Sequence, residues 1–437
     1  MKQKKIRLVS LGCKKNQIDS EVVLGSLLTK GYQLAQNEDE ADIVFVNTCS
    51  FVKDAQDESR NAINEIISLK EQGKIQKVIV GGCMPQRYKE DLVREFPLVD
   101  VFIGLDEINK LPRILDKKES YAISSVSQFV YNDETPRLNT ESPHLAYVKI
   151  SEGCNRVCSF CMIPAIRGRF RSRPIDSIYR ECANLVHQGV AEINIVSQDT
   201  TYYGKDMNDG ASLYKLLEKL ATLKKLRWLR LFYNYPIGFN DNVIKLMANE
   251  EKLVKYVDLP VQHASDRMLK LMRRGVHKKH MLELFAAIKK EIKDVFLRTT
   301  LIVGFPGETD RDFQELCDFI EKIEFNHVGV FKYSDEKDSH SYTLPDKVPA
   351  HVIDERFDHI MKKAQKIAHT NNKNLVGKKF DAVIETENDE KIIGRISGQA
   401  REVDGITYIQ GTSFEPGKFV QVEIKKGLEY DLVAHAC

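Results

Sequence analysis

No stretch of these 437 residues approaches the roughly 20 apolar residues that a membrane-spanning helix needs, so no such span is expected. Nothing resembles a secretory leader, because the apolar run after MKQKK covers only residues 6–9. There is no excess of charge of either sign: 65 Lys and Arg stand against 63 Asp and Glu, a net of +2. That balance removes the global basic footprint of a nucleic-acid binder, leaving only a local patch open. No solenoid repeat and no low-complexity segment interrupts the chain. These absences point to a cytoplasmic protein, where thiols stay reduced. Nine cysteines, an odd number, then indicate metal or redox chemistry rather than a disulfide framework.

What is present is α/β alternation. The length suits about two to four domains. Residues 6–11, 42–47, 77–81 and 99–103 read as strands, separated by helical patterns such as IDSEVVLGSLLTKGY and DAQDESRNAINEIISLK. Such alternation predicts right-handed βαβ units and a parallel sheet within an amino-terminal domain, residues 1–130. A polar stretch with prolines, 131–144, reads as a linker. From 145 to 373 the alternation resumes on a larger scale. AYVKIS, EINIVS, LRWLRLFY, VKYVDLP, VFLRTTLIVGF and NHVGVFKYS are each followed by a helical pattern. Six βα units are two short of a full eightfold barrel, which predicts an open partial barrel. Residues 374–437 carry five short strand patterns and no helical period, predicting a small five-stranded antiparallel β-barrel.

Three of the first strands end at a cysteine: IRLVSLGC at Cys13, ADIVFVNTC at Cys49 and KVIVGGC at Cys83. In a parallel sheet the carboxyl ends of the strands form the ligand crevice, so these thiols are candidates to converge. A buried, inert role for each is the competing reading. A denser signal follows the first barrel strand, where SEGCNRVCSFC places Cys154, Cys158 and Cys161. Thiolate clusters hold iron–sulfur centres or zinc. A structural zinc wants four ligands, and the nearest other candidates, His144 and His187, are not close in sequence. Three cysteines instead suit a cubane with one iron left open.

The Cys-x3-Cys-x2-Cys spacing, with Phe160 before the last cysteine, resembles the radical S-adenosylmethionine superfamily. SLGCKKNQIDSE, NTCSFV, GGCMPQ, SEGCNRVCSFCMIPAIRGRFRSRP, LPVQHASDRMLKLMRR and IVGFPGET together resemble the methylthiotransferases over essentially the whole chain. The resemblance implies a radical [4Fe–4S] cluster on Cys154, Cys158 and Cys161. It implies a second, sulfur-delivering [4Fe–4S] cluster on Cys13, Cys49 and Cys83, and a carboxyl-terminal barrel of TRAM type. It also implies two molecules of S-adenosylmethionine per reaction: one methylates sulfur, and one yields the radical that takes hydrogen from an unactivated C–H bond. An electron donor such as flavodoxin or ferredoxin is implied too, with the sulfur source left open.

Within that family SLGCKKN, FYNYP and LPVQHAS look like the RimO-type enzymes. These methylthiolate the β-carbon of an aspartate in small-subunit ribosomal protein twelve. Lys14 departs from the proline common at its place. The alternative is the MiaB-like branch acting on an adenosine of tRNA, whose members read closer to MGCQMN and VQSGS. Residues 373–437 hold nine Lys or Arg and eleven Asp or Glu, a balance of −2 that suits a basic protein better than phosphates. A reading from another class is a non-catalytic iron–sulfur protein that binds RNA or carries electrons.

Other candidates carry less. Gln198, Asp199 and Gln262 end barrel strands, where they suit either the amino-acid and ribose parts of the nucleotide or local caps. Gly304 in VGFPGET suits backbone approach to the adenine or a plain turn. Arg167, Arg169, Arg171 and Arg173 suit a clamp on a carboxylate of cofactor or substrate, or a solvated basic face. Cys182 and Cys317 fall on apolar helical faces and read as core. Cys437 ends the chain and is expected to fray.

Overall fold

The computed structural model describes residues 4–388, 391–411 and 413–437. Six parallel strands open the chain: β1 (Lys5–Ser10), β2 (Gln33–Leu34), β3 (Ile43–Thr48), β4 (Lys77–Gly82), β5 (Val101–Ile103) and β6 (Tyr121–Ala122). Their order is β2-β1-β3-β4-β5-β6. The two-residue edge strands β2 and β6 are additions to the four read from sequence, since neither has the length to form an apolar run. Alternation sorts the central strands between two layers. Val44, Val46, Val78 and Val80 pack with Ile63 and Ile66 of the helix Lys53–Glu71. Ile43, Phe45 and Ile79 pack with Ile18 and Val22 of the helix Lys14–Leu28.

The central region forms two parallel arcs. The first is β7 (Leu145–Lys149), followed by the short ribbon β8 (Ser151–Glu152) and β9 (Arg171–Ser172), then β10 (Glu192–Val196) and β11 (Trp228–Leu231). The second is β12 (Tyr256–Asp258), β13 (Phe296–Val303) and β14 (His327–Lys332). The arcs run β11-β10-β7 and β12-β13-β14, and a bridge between Leu229 and Leu253 joins them. This is the open six-stranded barrel that the pattern predicted. Alternate strand residues such as Ile193, Ile195, Leu229 and Leu231 face the surrounding helices, and Cys182 and Cys317 lie fully buried in that same core.

Five strands close the carboxyl-terminal barrel: β15 (Lys379–Asn388), β16 (Lys391–Ile396), β17 (Thr407–Gln410), β18 (Phe419–Gly427) and β19 (Leu432–Ala436). The pair β17–β19 runs parallel and the other pairs antiparallel. Cys437 does not fray at its backbone, because its N–H donates to the Gln421 carbonyl at 2.9 Å. The small barrel is docked against the amino ends of the central strands. Trp228 meets Phe419 edge-on at 4.9 Å between ring centres. Glu192, the first residue of β10, is fully buried between Arg230 (3.2 Å) and Arg395 of β16 (2.7 Å).

Residues 131–144 contain no helix or strand, yet they are pinned. Tyr131 is buried, and Arg137 bridges Glu21 (2.6 Å) on the helix Lys14–Leu28 to Glu181 (2.5 Å). His144 lies just before β7 and faces Glu385 at 3.5 Å.

Removing one partner from a buried ionic group strands the others without compensation, at a cost of about 3–5 kcal/mol. Arg395→Ala is therefore expected to destabilise the protein by about that amount. Urea unfolding followed by the fluorescence of Trp228 measures the loss, because this tryptophan lies 6.0 Å from the Arg395 guanidinium.

Candidate functional site

β1, β3 and β4 are neighbours, and their register pairs Ser10 with Asn47, Asn47 with Gly81 and Thr48 with Gly82. Their carboxyl ends are therefore level. Cys13, Cys49 and Cys83 all stand within three residues of those ends. Two glycines make the approach possible. Gly12 holds φ +84°, and a Cβ there would lie 2.7 Å from Cβ of Cys49. Gly82 holds φ +96°, and a Cβ there would lie 2.2 Å from Oδ1 of Asn47. The three thiols feel one another electrostatically. Burial pushes Cys83 up to about 12, against the pull of Arg167 and with a further push from Cys49 and Cys13. Burial, then the charge of Cys13, raises Cys49. Burial opposes ionisation of Cys13 as well, but Lys15, Arg167 and the backbone N–H groups of Asn16 and Lys15 outweigh it and hold this thiol below its ordinary value. Cys13 alone of the three is exposed.

The second triad sits in the loop closed by the β8–β9 ribbon. The N–H of Cys154 donates to the Gly168 carbonyl at 3.1 Å, and that of Cys161 to the Cys158 carbonyl at 3.1 Å. Ser159 ties the loop across the barrel mouth, its N–H to Met272 O (3.1 Å) and its hydroxyl to Leu271 O (2.8 Å). Arg274 donates to Sγ of Cys158 at 3.3 Å and to the Pro260 carbonyl at 2.6 Å. Burial raises Cys154 to about 11 and Cys161 further, the latter also pushed by Cys158.

A buried ionic bridge connects the two triads. Lys149, at the end of β7, reaches Asp19 (2.6 Å) of the amino-terminal domain and Glu152 (2.5 Å) of β8. Arg167 pairs with the same two carboxylates, at 2.9 and 3.1 Å. It also donates to Sγ of Cys83 at 3.4 Å and to Oδ1 of Asn16 at 3.4 Å. Burial alone would raise Glu152, but Arg167 and Lys149 hold it far below the carboxylate range. Gln198 completes the bridge by donating to Glu152 at 3.1 Å.

Comparison with known proteins agrees with this layout. Residues 5–104 match the uncharacterized protein family UPF0004, residues 148–320 the radical SAM superfamily and residues 376–437 the TRAM domain. The ribosomal protein uS12 methylthiotransferase RimO of Geotalea uraniireducens is 42% identical over 438 aligned residues, covering 99% of this chain and 98% of that protein. RimO of Geobacter sulfurreducens is 41% identical over 99% of this chain and 98% of its own. The chain belongs to the RimO family of radical SAM methylthiotransferases. It is thus a transferase, and its family implies a [4Fe–4S] cluster and S-adenosylmethionine. Among solved structures the radical methyltransferase TsrM of Kitasatospora setae shares the fold, with TM-score 0.54 and 16% identity over 75% of this chain and 73% of that one. The radical enzyme OxsB does so at TM-score 0.55 and 13% identity, over 84% and 58%.

The remaining candidates of this RimO-family chain fall into separate places. Phe160 and Gln262 line a cavity of about 140 Å³ together with Phe51, Ile302, Phe331 and Glu336. Phe51 lies two residues past Cys49 and Phe160 next to Cys161, so the cavity takes its walls from both domains that carry a triad. Asp199 is held by Arg156 at 2.6 Å and by the hydroxyl of Thr201 at 2.6 Å. Gly304 stands apart from the cavity lining, and a Cβ on it would lie 2.4 Å from Ile353 of the helix Ala350–Lys373. Of the four arginines, Arg167 and Arg173 clamp carboxylates of the chain itself, Arg173 reaching Glu181 at 2.6 Å. Arg171 bonds the carbonyls of Arg167 and Arg169, and Arg169 is exposed. Sequence reasoning missed Asp19, Lys149, Glu152 and Arg274. For Asp19, Lys149 and Glu152 the signal was charge inside strand or helix patterns, as in AYVKIS, whereas Arg274 follows the helix Asp266–Leu271 in a loop.

The donor sets fit iron–sulfur clusters. Each site offers three thiols and an arginine N–H aimed at one sulfur, a device that tunes such clusters. His144 and His187 precede β7 and β10 and so lie at the amino edge, opposite the cysteine loop. Among the described residues no three His, Cys, Asp or Glu side chains group as ligands of a single metal ion. A cubane, whose ligands stand further apart, does not require such a group.

Only the thiolate is nucleophilic. In metal-free protein, Cys13, with its lowered pKa, keeps its thiolate to lower pH than Cys83, which is protonated at neutral pH. Iodoacetamide labelling followed by peptide mass mapping over pH 6–10 is expected to modify Cys13 first and Cys83 last of the amino-terminal three.

Proposed function

We propose that the chain inserts a methylthio group at the β-carbon of an aspartate in ribosomal protein uS12. In this reading Cys154, Cys158 and Cys161 hold one [4Fe–4S] cluster and Cys13, Cys49 and Cys83 a second. Two molecules of S-adenosylmethionine are used per product. The observation that carries the reading is the pair of thiol triads at two facing strand edges, joined by Asp19, Lys149, Glu152 and Arg167. The relatives named for uS12 methylthiolation supply the substrate.

When bound, the clusters and S-adenosylmethionine supply the one-electron chemistry and the sulfur and methyl groups that no side chain provides. The chain's own part is positional and electrostatic. The six thiols give up their protons when they become ligands. Arg167 and Arg274 direct N–H groups at Sγ of Cys83 and Cys158, stabilising thiolate charge in a buried setting. Phe160, Ile302 and Phe331, with Phe51 from the facing domain, give the cavity largely apolar walls. Gln262 on its wall suits a polar contact to the cofactor. Gln198 and Asp199 support the loop around it through Glu152 and Arg156.

Anaerobically reconstituted protein is expected to hold about eight irons, four per cubane. Replacing Cys154, Cys158 and Cys161 by Ala should halve the iron and abolish 5′-deoxyadenosine formation. Replacing Cys13, Cys49 and Cys83 by Ala should halve the iron and stop methylthiolation. Incubation with uS12 and with tRNA, followed by mass spectrometry of each, identifies the substrate. A methylthio gain on an aspartate of uS12 is expected. A gain on tRNA alone, or stoichiometric zinc in place of iron, would overturn the reading.

A further inference from the structure

Lys15, two residues past Cys13, is only 7% exposed. Lysine is almost never buried without a partner. Its two lysine neighbours in the site obey that rule: Lys14 pairs with Glu141 and Glu402, and Lys149 with Asp19 and Glu152. Lys15 does not. Among the described residues no carboxylate or carbonyl accepts a hydrogen bond from its Nζ, which sits 3.3 Å from the centre of the Tyr233 ring. Tyr233 follows β11 at the carboxyl edge of the barrel and holds φ +57°, a conformation that bulky residues rarely adopt. An acid beside that ring is already used. Asp258 accepts the Tyr233 N–H at 2.8 Å and pairs with Arg298 at 3.1 Å. The other titratable group that Lys15 faces is Cys13, whose thiol it draws down. A cation extends from the amino-terminal domain to the barrel mouth, backed by an aromatic face and, among the described residues, lacking an anion.

Resting on the uS12 reading, we propose that Lys15 is a specificity-determining residue that holds the carboxylate of the substrate aspartate. A carboxylate seated on Nζ places its β-carbon two bonds from the bound oxygen. That carbon then lies beside Cys13, at the opening between the domains. The aromatic face of Tyr233 prevents the ammonium from retreating, and a neutral side chain of the same shape leaves the ammonium unpaired.

The test uses reconstituted holoenzyme with uS12 and with uS12 carrying Asn in place of the target Asp. Wild type is expected to prefer Asp. Lys15→Met should lower kcat/KM for the Asp substrate about a hundredfold, mainly through KM, and abolish the preference over Asn. Lys15→Arg, which keeps the charge, should retain part of it. Iron content and the reduction potential of the Cys13 site are measured in parallel. Unchanged Asp preference in Lys15→Met overturns the proposal. So does a loss of iron or a shifted potential that accounts for the whole defect, since Lys15 would then serve the cluster. A wild-type enzyme inert toward uS12 overturns the underlying reading, and this proposal with it.

Discussion

The four-membered ionic bridge of Asp19, Lys149, Glu152 and Arg167 is the constraint on which the rest of the site depends. Each residue is at least nine-tenths buried, and each cation touches both anions. Such a group adds little net stability over an apolar packing of equal volume, because desolvation offsets most of the attraction. Its geometric demand is strict, since any displacement leaves an uncompensated charge in a dry interior. It therefore acts as a register between two domains that each carry one cysteine triad. Arg167 carries that register to a thiol, because the guanidinium that pairs with Asp19 and Glu152 also reaches Cys83.

The surrounding fold repeats the device. Glu192 between Arg230 and Arg395 docks the small barrel to the amino ends of β10 and β11. Arg137 between Glu21 and Glu181 pins the connecting stretch to helices on either side of it. Apolar packing supplies the bulk of the cohesion. One continuous hydrophobic cluster runs from Ile18 and Val22 through Tyr147, Trp228 and Phe296 to Val383 and Val422. The three sequence-defined regions thus share a core. The ionic groups set their angles, and the apolar contacts hold them together.

This division of labour explains how the chain forms a cavity that it does not build from one domain. The wall facing the cysteine loop of the barrel is Phe51, from the domain of the other triad. Lys15, which has no anionic partner among the described residues, likewise crosses from one domain to Tyr233 at the mouth of another. The walls of this cavity and the surroundings of Lys15 are properties of the domain interface.

Much of this was legible in the linear chain. β-Branched runs ending in glycine and cysteine placed three thiols at one sheet edge, because parallel strands in register must end level. The Cys-x3-Cys-x2-Cys spacing located the second triad, since three thiols within eight residues of a loop have few other uses. Six βα units and five short strands announced the two barrels, because periods of 3.6 and 2 are local. The edge strands β2 and β6 escaped, being two residues long and made only by pairing with a neighbour. The arginines of RGRFRSRP showed a capacity to bind carboxylates, but their partners lie as much as 148 residues away, as Asp19 does from Arg167. Asp19, Lys149 and Glu152 look like ordinary surface charges until packing removes the water around them. Ligand chemistry is written in residue type and spacing. Which charges meet was decided only by the tertiary structure, because electrostatic partnership depends on burial and distance, and neither is a property of the chain before it folds.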